Sequence, residues 1–182
     1  MTGWRPTLLS ILAVSGSLRA KSANSRLLAL VAELAASGAE VVMFSGIGEM
    51  PHFNPDIDRE VDVPPPAVAA WRAAIQAADG VVISCPEYAH GVPGSFKNAL
   101  DWLVSSADLM DKPVLLLNAS PVGGEFAQPS LAETLTMLGA RVIPESRLEP
   151  FVPAGGLADP IDQTATAVVE ACLRALQAVA LK

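Results

Sequence analysis

"LLSILAVSGSLRAKSANSRLL", residues 8–28, joins two patterns that no single element of secondary structure accommodates. Leu8 to Val14 is an apolar run of strand length, interrupted only by Ser10, as expected of a strand covered on both faces. From Ser25 to Ala36 the apolar residues return at helical spacing. Between the two stand Gly16, the serines at 15, 17 and 22, Asn24, and the cations Arg19 and Lys21, with Arg26 just beyond. Most of these groups donate hydrogen bonds or carry positive charge. A buried strand that passes through a donor-rich loop into a helix is the opening of a βα unit.

The unit recurs along the chain. Strand-length apolar runs follow at Glu40–Phe44, Gly80–Ser84, Val114–Asn118 and Arg141–Ile143, and the middle ones lack polar alternation. Helical patterns lie between and after them, at Pro65–Ala78, Ser95–Ser106, Pro129–Leu138 and Pro160–Leu181. Strict alternation implies an α/β fold: a parallel sheet with right-handed crossovers and helices on both faces. Ligands of such sheets bind outside the C-terminal ends of the strands, where strand order reverses. The loops 15–24, 85–94 and 119–128 are therefore expected to carry the function. Residues 45–66 read as loop, with several turn signals.

With 182 residues, the chain is expected to form one domain, 1–182. A net charge of −7 argues against a nucleic-acid partner, which needs lysine and arginine clustered over a wide face. Against that acidic background Arg19, Lys21 and Arg26 form a local concentration of positive charge, and a local anion site is the sharper expectation. The apolar stretch near the N-terminus is too short to span a bilayer, so a cytoplasmic protein without membrane attachment is expected. Cys85 and Cys172 do not form a metal-spaced cluster and read as reduced thiols, Cys85 as a buried inert one. No metal site is expected.

Two phosphate-loop patterns fail on the first loop. A Walker loop needs a second glycine where Lys21 stands, and a dinucleotide fingerprint needs three glycines where only Gly16 is present. What remains is a hydroxyl-rich loop entering a helix, with Ser17, Ser22 and Asn24 offering donors, Arg19 a fixed charge, and the first helical amides free. Such a helix start suits a phosphate monoester. The same residues also permit a plainer reading, in which Ser22 or Asn24 is simply the N-cap.

The loop after the third strand reads "CPEYAHGVPGSFKNALDWLVSS", residues 85–106. Pro86 fixes its own backbone, Gly91 and Gly94 allow close approach of a flat ligand, and Tyr88 is the only tyrosine of a chain poor in aromatics. A planar heterocycle lying against this loop is the functional reading; ordinary packing of Tyr88 is the bland one.

Together the two loops resemble the NADPH-dependent FMN reductases, flavodoxin-like flavoproteins that include quinone, azo-dye and chromate reductases. The pattern "GSLRxxSxN" is met by Gly16, Ser17, Leu18, Arg19, Ser22 and Asn24. The pattern "PEYNxxxPGxLKNAxDW" is met by Pro86, Glu87, Tyr88, Pro93, Gly94, Lys97, Asn98, Ala99, Asp101 and Trp102. Ala89 departs from it where the pattern has Asn, and Phe96 where it often has Leu.

The resemblance implies a three-layer sandwich around a five-stranded parallel sheet of order 2-1-3-4-5. It implies bound FMN, and NADPH or NADH as a transient electron donor. The reaction would be ping-pong: hydride passes from nicotinamide to the flavin, and electrons then go to a quinone or another small acceptor. Ser17, Arg19, Ser22 and Asn24, with Ser25 as a weaker candidate, would hold the phosphate. Pro86, Glu87, Tyr88, Ala89, His90 and Gly91 would line the isoalloxazine, Tyr88 and His90 also shaping the acceptor pocket. Ser120, Pro121, Gly123 and Gly124 would flank the ring's other side. His52 reads as a surface-loop residue. Lys97, Asn98, Asp101 and Trp102 would start their helix and pack against a neighbouring subunit in a homodimer or homotetramer. The rival reading is a flavodoxin-type electron carrier without NAD(P)H turnover; the Arg19 loop and the single Tyr favour the reductase.

Overall fold

The computed structural model describes residues 8–36, 38–59, 63–120, 124–144 and 163–181. Five strands, β1 (Leu9–Ser15), β2 (Ala39–Phe44), β3 (Gly80–Ser84), β4 (Pro113–Leu117) and β5 (Arg141–Val142), pair in parallel in the order β2-β1-β3-β4-β5. The helices are α1 (Ala23–Ala35), α2 (Pro66–Ala77), α3 (Gly94–Asp101), α4 (Ala127–Met137) and α5 (Gln163–Ala180). The order is the one the resemblance implies, and it places the reversal of strand order between β1 and β3.

Side chains alternate across a strand, and here each side meets its own helical layer. Leu12 and Val14 of β1, Val81 and Ile83 of β3 and Val114 and Leu116 of β4 pack with Trp71, Ile75, Phe96, Leu100, Leu131 and Leu135. Ile11, Ala13, Val82, Leu115 and Leu117 face the other way, onto Leu27, Leu28, Val31, Val169, Leu173 and Leu176. Strands β3 and β4 are buried at every residue, which is why their sequences carry no polar alternation. β2 is an edge strand, and Val42 and Met43 lie open to solvent.

Two expectations need correction. The spacing predicts a helix over Ser95–Ser106, but α3 ends at Asp101 and turns follow through 106. The cause is local. Leu103, Val104 and Ser106 bond back three residues, and Arg72 of α2 claims the Trp102 carbonyl from Nε at 3.0 Å and from Nη2. Segment 45–66 is not all loop: it holds two short 3₁₀ turns, Gly46–Glu49 and Pro55–Ile57. His52 within it is exposed, as expected.

Asn98 and Trp102, expected to start their helix and to pack against a neighbouring subunit, have partners within the chain. Trp102 is fully buried within its own chain, with its indole N–H donating to the Pro51 carbonyl at 3.0 Å and Phe53 edge-on to its ring. Asn98 donates to the same carbonyl at 2.9 Å and accepts from the Phe53 amide at 2.8 Å. Both side chains fasten the segment after β2 onto α3, so that this part of the motif holds a loop in place. Arg72 fastens the segment's far end through the Asp58 carboxylate at 2.7 and 2.9 Å. The start of the last helical pattern, Pro160 to Asp162, lies outside the described residues.

Candidate functional site

The loops after β1, β3 and β4 converge at the C-terminal edge of the sheet, where Ser15 is the neighbour of Ser84 and Ser84 of Leu117. Gly16 is there for space. Its amide donates to the Ser84 carbonyl at 2.8 Å, and a Cβ on it would lie 2.6 Å from Cys85 Sγ. Beyond it the Ser17 amide donates to the Ser15 hydroxyl at 3.2 Å, and the buried Ser17 hydroxyl accepts from the Arg19 amide at 3.3 Å. The same hydroxyl stands 3.4 Å from the phenol of Tyr88, which joins the first loop to the second.

Ser22 is the N-cap of α1, accepting from the Ser25 amide at 2.9 Å, and its hydroxyl meets that of Ser25 at 2.8 Å. The capping reading is therefore correct for Ser22, and it keeps the helix start ordered without removing its charge. The amides of Ala23 and Asn24 have no partner within the helix, as at any helix start. Asn24 is buried, and its Oδ1 accepts from the Ser84 hydroxyl at 2.8 Å and from the Ala119 amide at 3.4 Å. One side chain thus ties α1 to the ends of β3 and β4. Arg19 and Lys21 are exposed at the rim. The set of open amides, hydroxyls and an exposed guanidinium can hold a dianionic phosphate.

In the second loop, Cys85 is buried and its thiol is pushed up to about 12 by desolvation, so it stays protonated and unreactive. Tyr88 and Gly91 exchange both backbone bonds at 3.0 Å around Ala89 and His90, whose φ values are 49° and 60°. This is the doubly left-handed turn of a two-residue hairpin, which favours Asn or Gly at its first central position. The pattern's Asn at position 89 thus has a backbone reason, and Ala89 meets the same geometry under strain. Ala89→Asn is expected to raise stability by about 1 kcal/mol. Thermal unfolding should show it as a Tm higher by about 2–4 °C, and an unchanged or lowered Tm would contradict the turn argument.

The third loop is fastened to the second by Glu87. Its Oε2 accepts from the amides of Ala127 at 2.8 Å and Phe126 at 2.9 Å, the otherwise open amides at the start of α4. Those two donors, Ala127 first, hold the carboxyl below its ordinary range. Gln128 adds a bond to the Cys85 carbonyl at 3.1 Å. Because the folded form of Glu87 is the more acidic one, its stabilisation is complete above the unfolded value, about 4.3, and fades as pH falls through the lower folded value. Urea unfolding of native protein and Glu87→Gln from pH 7 to pH 3 should show a constant gap at neutral pH that closes on the acid side. A gap independent of pH would mean that the charge contributes nothing.

Ser120 and Gly124 border this region, whereas Pro121 and Gly123 lie outside the described residues. At the end of β4, Asn118 uses Oδ1 on the Ser120 amide at 2.9 Å, and its buried Nδ2 has no partner among the described residues. An orphaned buried donor in a ring of converging loops fits a bound polar ligand. Sequence reasoning passed over Asn118 and also Phe126, whose ring stacks on His90 at a centroid distance of 4.1 Å. The signal available for Phe126 was the scarcity of aromatics beside a Gly-rich loop. Among the described residues no group of His, Cys, Asp and Glu is arranged to hold a metal, and no helix is long and apolar enough to cross a membrane.

The model of the family described as NADPH-dependent FMN reductase matches residues 9–149. The chain belongs to the NADPH-dependent FMN reductase family. Among its relatives, the quinone reductase of Escherichia coli K12 is 37% identical over 139 residues, covering 74% of this chain and 73% of the relative. The NAD(P)H-dependent FMN reductase PA1204 of Pseudomonas aeruginosa is 32% identical over 179 residues, covering 93% and 94%. Of solved structures, the NAD(P)H:acceptor oxidoreductase FerB of Paracoccus denitrificans superposes with a TM-score of 0.75 at 25% identity, over 94% of this chain and 98% of that one. The fold is flavodoxin-like, and this FMN reductase is a flavin-dependent oxidoreductase served by NAD(P)H.

Proposed function

We propose that the chain reduces quinones or similar small acceptors with NAD(P)H in a ping-pong cycle, through FMN held at the converging loops. The observation that carries this reading is the meeting of the Ser17 loop with the Tyr88 hairpin, 3.4 Å apart at the hydroxyls, in a chain of this family. Ser17, Arg19 and the capped start of α1, with Ser22, Asn24 and Ser25, hold the phosphate. Pro86 to Gly91 border the isoalloxazine through a backbone that the hairpin and the Glu87 cap keep rigid. Ser120 and Gly124 border the other side, with the open Nδ2 of Asn118 available to a ring heteroatom.

When bound, FMN supplies the redox chemistry, taking up a hydride from NAD(P)H and releasing two electrons to an acceptor. The protein's part is to fix the position of the ring and to leave one approach open, which donor and acceptor use in turn. No side-chain acid, base or nucleophile is needed for that role.

The direct test is to load purified protein with FMN and to follow nicotinamide absorbance with NADPH or NADH and a set of quinones. Oxidation dependent on the quinone is expected. FMN-loaded protein that oxidises neither nicotinamide with any quinone would leave the electron-carrier reading. For the phosphate end, Arg19→Ala removes a charge-assisted contact and should weaken FMN binding by about 10- to 100-fold, read by quenching of flavin fluorescence. Unaltered affinity would place the phosphate elsewhere.

A further inference from the structure

The rings of His90 and Phe126 lie nearly parallel, 16° between planes and 4.1 Å between centroids. Both side chains are exposed, Phe126 to 47%. An apolar ring kept in solvent beside a second flat ring, at the edge where the three loops meet, is not explained by packing among the described residues. Each ring is also held by its own device. His90 stands in the left-handed corner of the hairpin, whose two backbone bonds are 3.0 Å long. Phe126 stands at the cap of α4, and its amide is fastened to the Glu87 carboxylate at 2.9 Å. Glu87 belongs to the same loop as His90, so a single tie sets the two rings against each other.

We infer that the His90–Phe126 stack is the seat of the electron acceptor, and that it selects planar aromatic acceptors, quinones above all, over compact ionic ones. The inference rests on the FMN-reductase reading above and adds the surface that would choose the second substrate. A quinone offers a flat, electron-poor ring, and aromatic pairs gain from offset stacking beyond the area they bury. The overall reaction is NAD(P)H plus a proton plus quinone giving NAD(P)⁺ plus hydroquinone. The nicotinamide hydride accounts for both electrons and one proton, and solvent supplies the second proton. The stack therefore binds and orients, and exchanges nothing.

The test compares Phe126→Ala, Phe126→Leu and Phe126→Tyr in the FMN-loaded full chain, with a naphthoquinone and with ferricyanide as acceptors. In the Ala and Leu variants the quinone KM should rise about tenfold relative to the ferricyanide KM of the same preparation, while the Tyr variant stays within about twofold of native. Two results in the variants overturn the proposal: KM values for both acceptors that change in parallel, which would make Phe126 scaffold, or a Leu variant with the native quinone KM, which would make bulk sufficient. Native protein that fails to oxidise NADPH even with ferricyanide removes the enzyme reading and the seat with it. Native turnover with an unaltered acceptor preference in the Ala variant removes the seat alone.

Discussion

Gly16→Ala is expected to lower stability by about 2–3 kcal/mol and to weaken FMN binding with it. The residue does not need a left-handed backbone. It needs the absence of a Cβ, because one placed there would lie 2.6 Å from Cys85 Sγ, 3.1 Å from Cys85 Cβ and 3.2 Å from Cys85 Cα. The ends of two neighbouring parallel strands lie side by side at this point, tied by the Gly16 amide to the Ser84 carbonyl at 2.8 Å, so neither side can retreat without breaking the bond. Any shift moves Ser17 and the loop that follows. Thermal unfolding should show a Tm lower by about 5–10 °C. Cys85→Ala in the same chain removes the sulfur and should restore part of the loss. Because the thiol is buried and protonated, Cys85→Ala alone should still oxidise NADPH. A double variant as unstable as Gly16→Ala would show that the backbone contact, and not the sulfur, sets the limit.

The other large effect is expected at Asn24. Its Oδ1 is the acceptor for the fully buried Ser84 hydroxyl and for the Ala119 amide, so Asn24→Ala leaves both donors without a partner. Unsatisfied buried donors together destabilise by about 2–4 kcal/mol. Asn24→Asp separates the two roles of this residue. The carboxylate still accepts both bonds and should recover most of the stability, while its negative charge beside the phosphate position should reduce FMN affinity by at least about tenfold. Urea unfolding and flavin titration on the two variants check this directly. If the Asp variant binds FMN as the native chain does, Asn24 is remote from the phosphate and its role is confined to the tie between α1, β3 and β4.

The elements of the fold were legible because they depend on short-range patterns. β3 and β4 are continuous apolar runs, α1 begins at a serine that caps it, and the strand ends were placed to within one residue of the structure at most. The helix after the second loop was read too long because its end depends on Arg72, thirty residues away, taking the Trp102 carbonyl at 3.0 Å. That the motif residues Asn98 and Trp102 both donate to the Pro51 carbonyl is a contact no local pattern reveals. Ala89 stands in the sequence only as a departure from the pattern's Asn, whereas its left-handed φ of 49° shows that the position is governed by turn geometry.

By itself the sequence determined the βα repeat, the loops that converge at the strand ends, and the donor-rich composition of the first of them. These follow from side-chain periodicity and from the intrinsic chemistry of Gly, Ser, Asn and Arg, which act within a few residues of their own position. Only the tertiary structure decided that Glu87 caps α4, that Asn24 ties two strand ends, and that His90 and Phe126 stack. Each of those contacts joins residues far apart in the chain, and their partners are selected by the crossover geometry of the sheet, which no local pattern encodes.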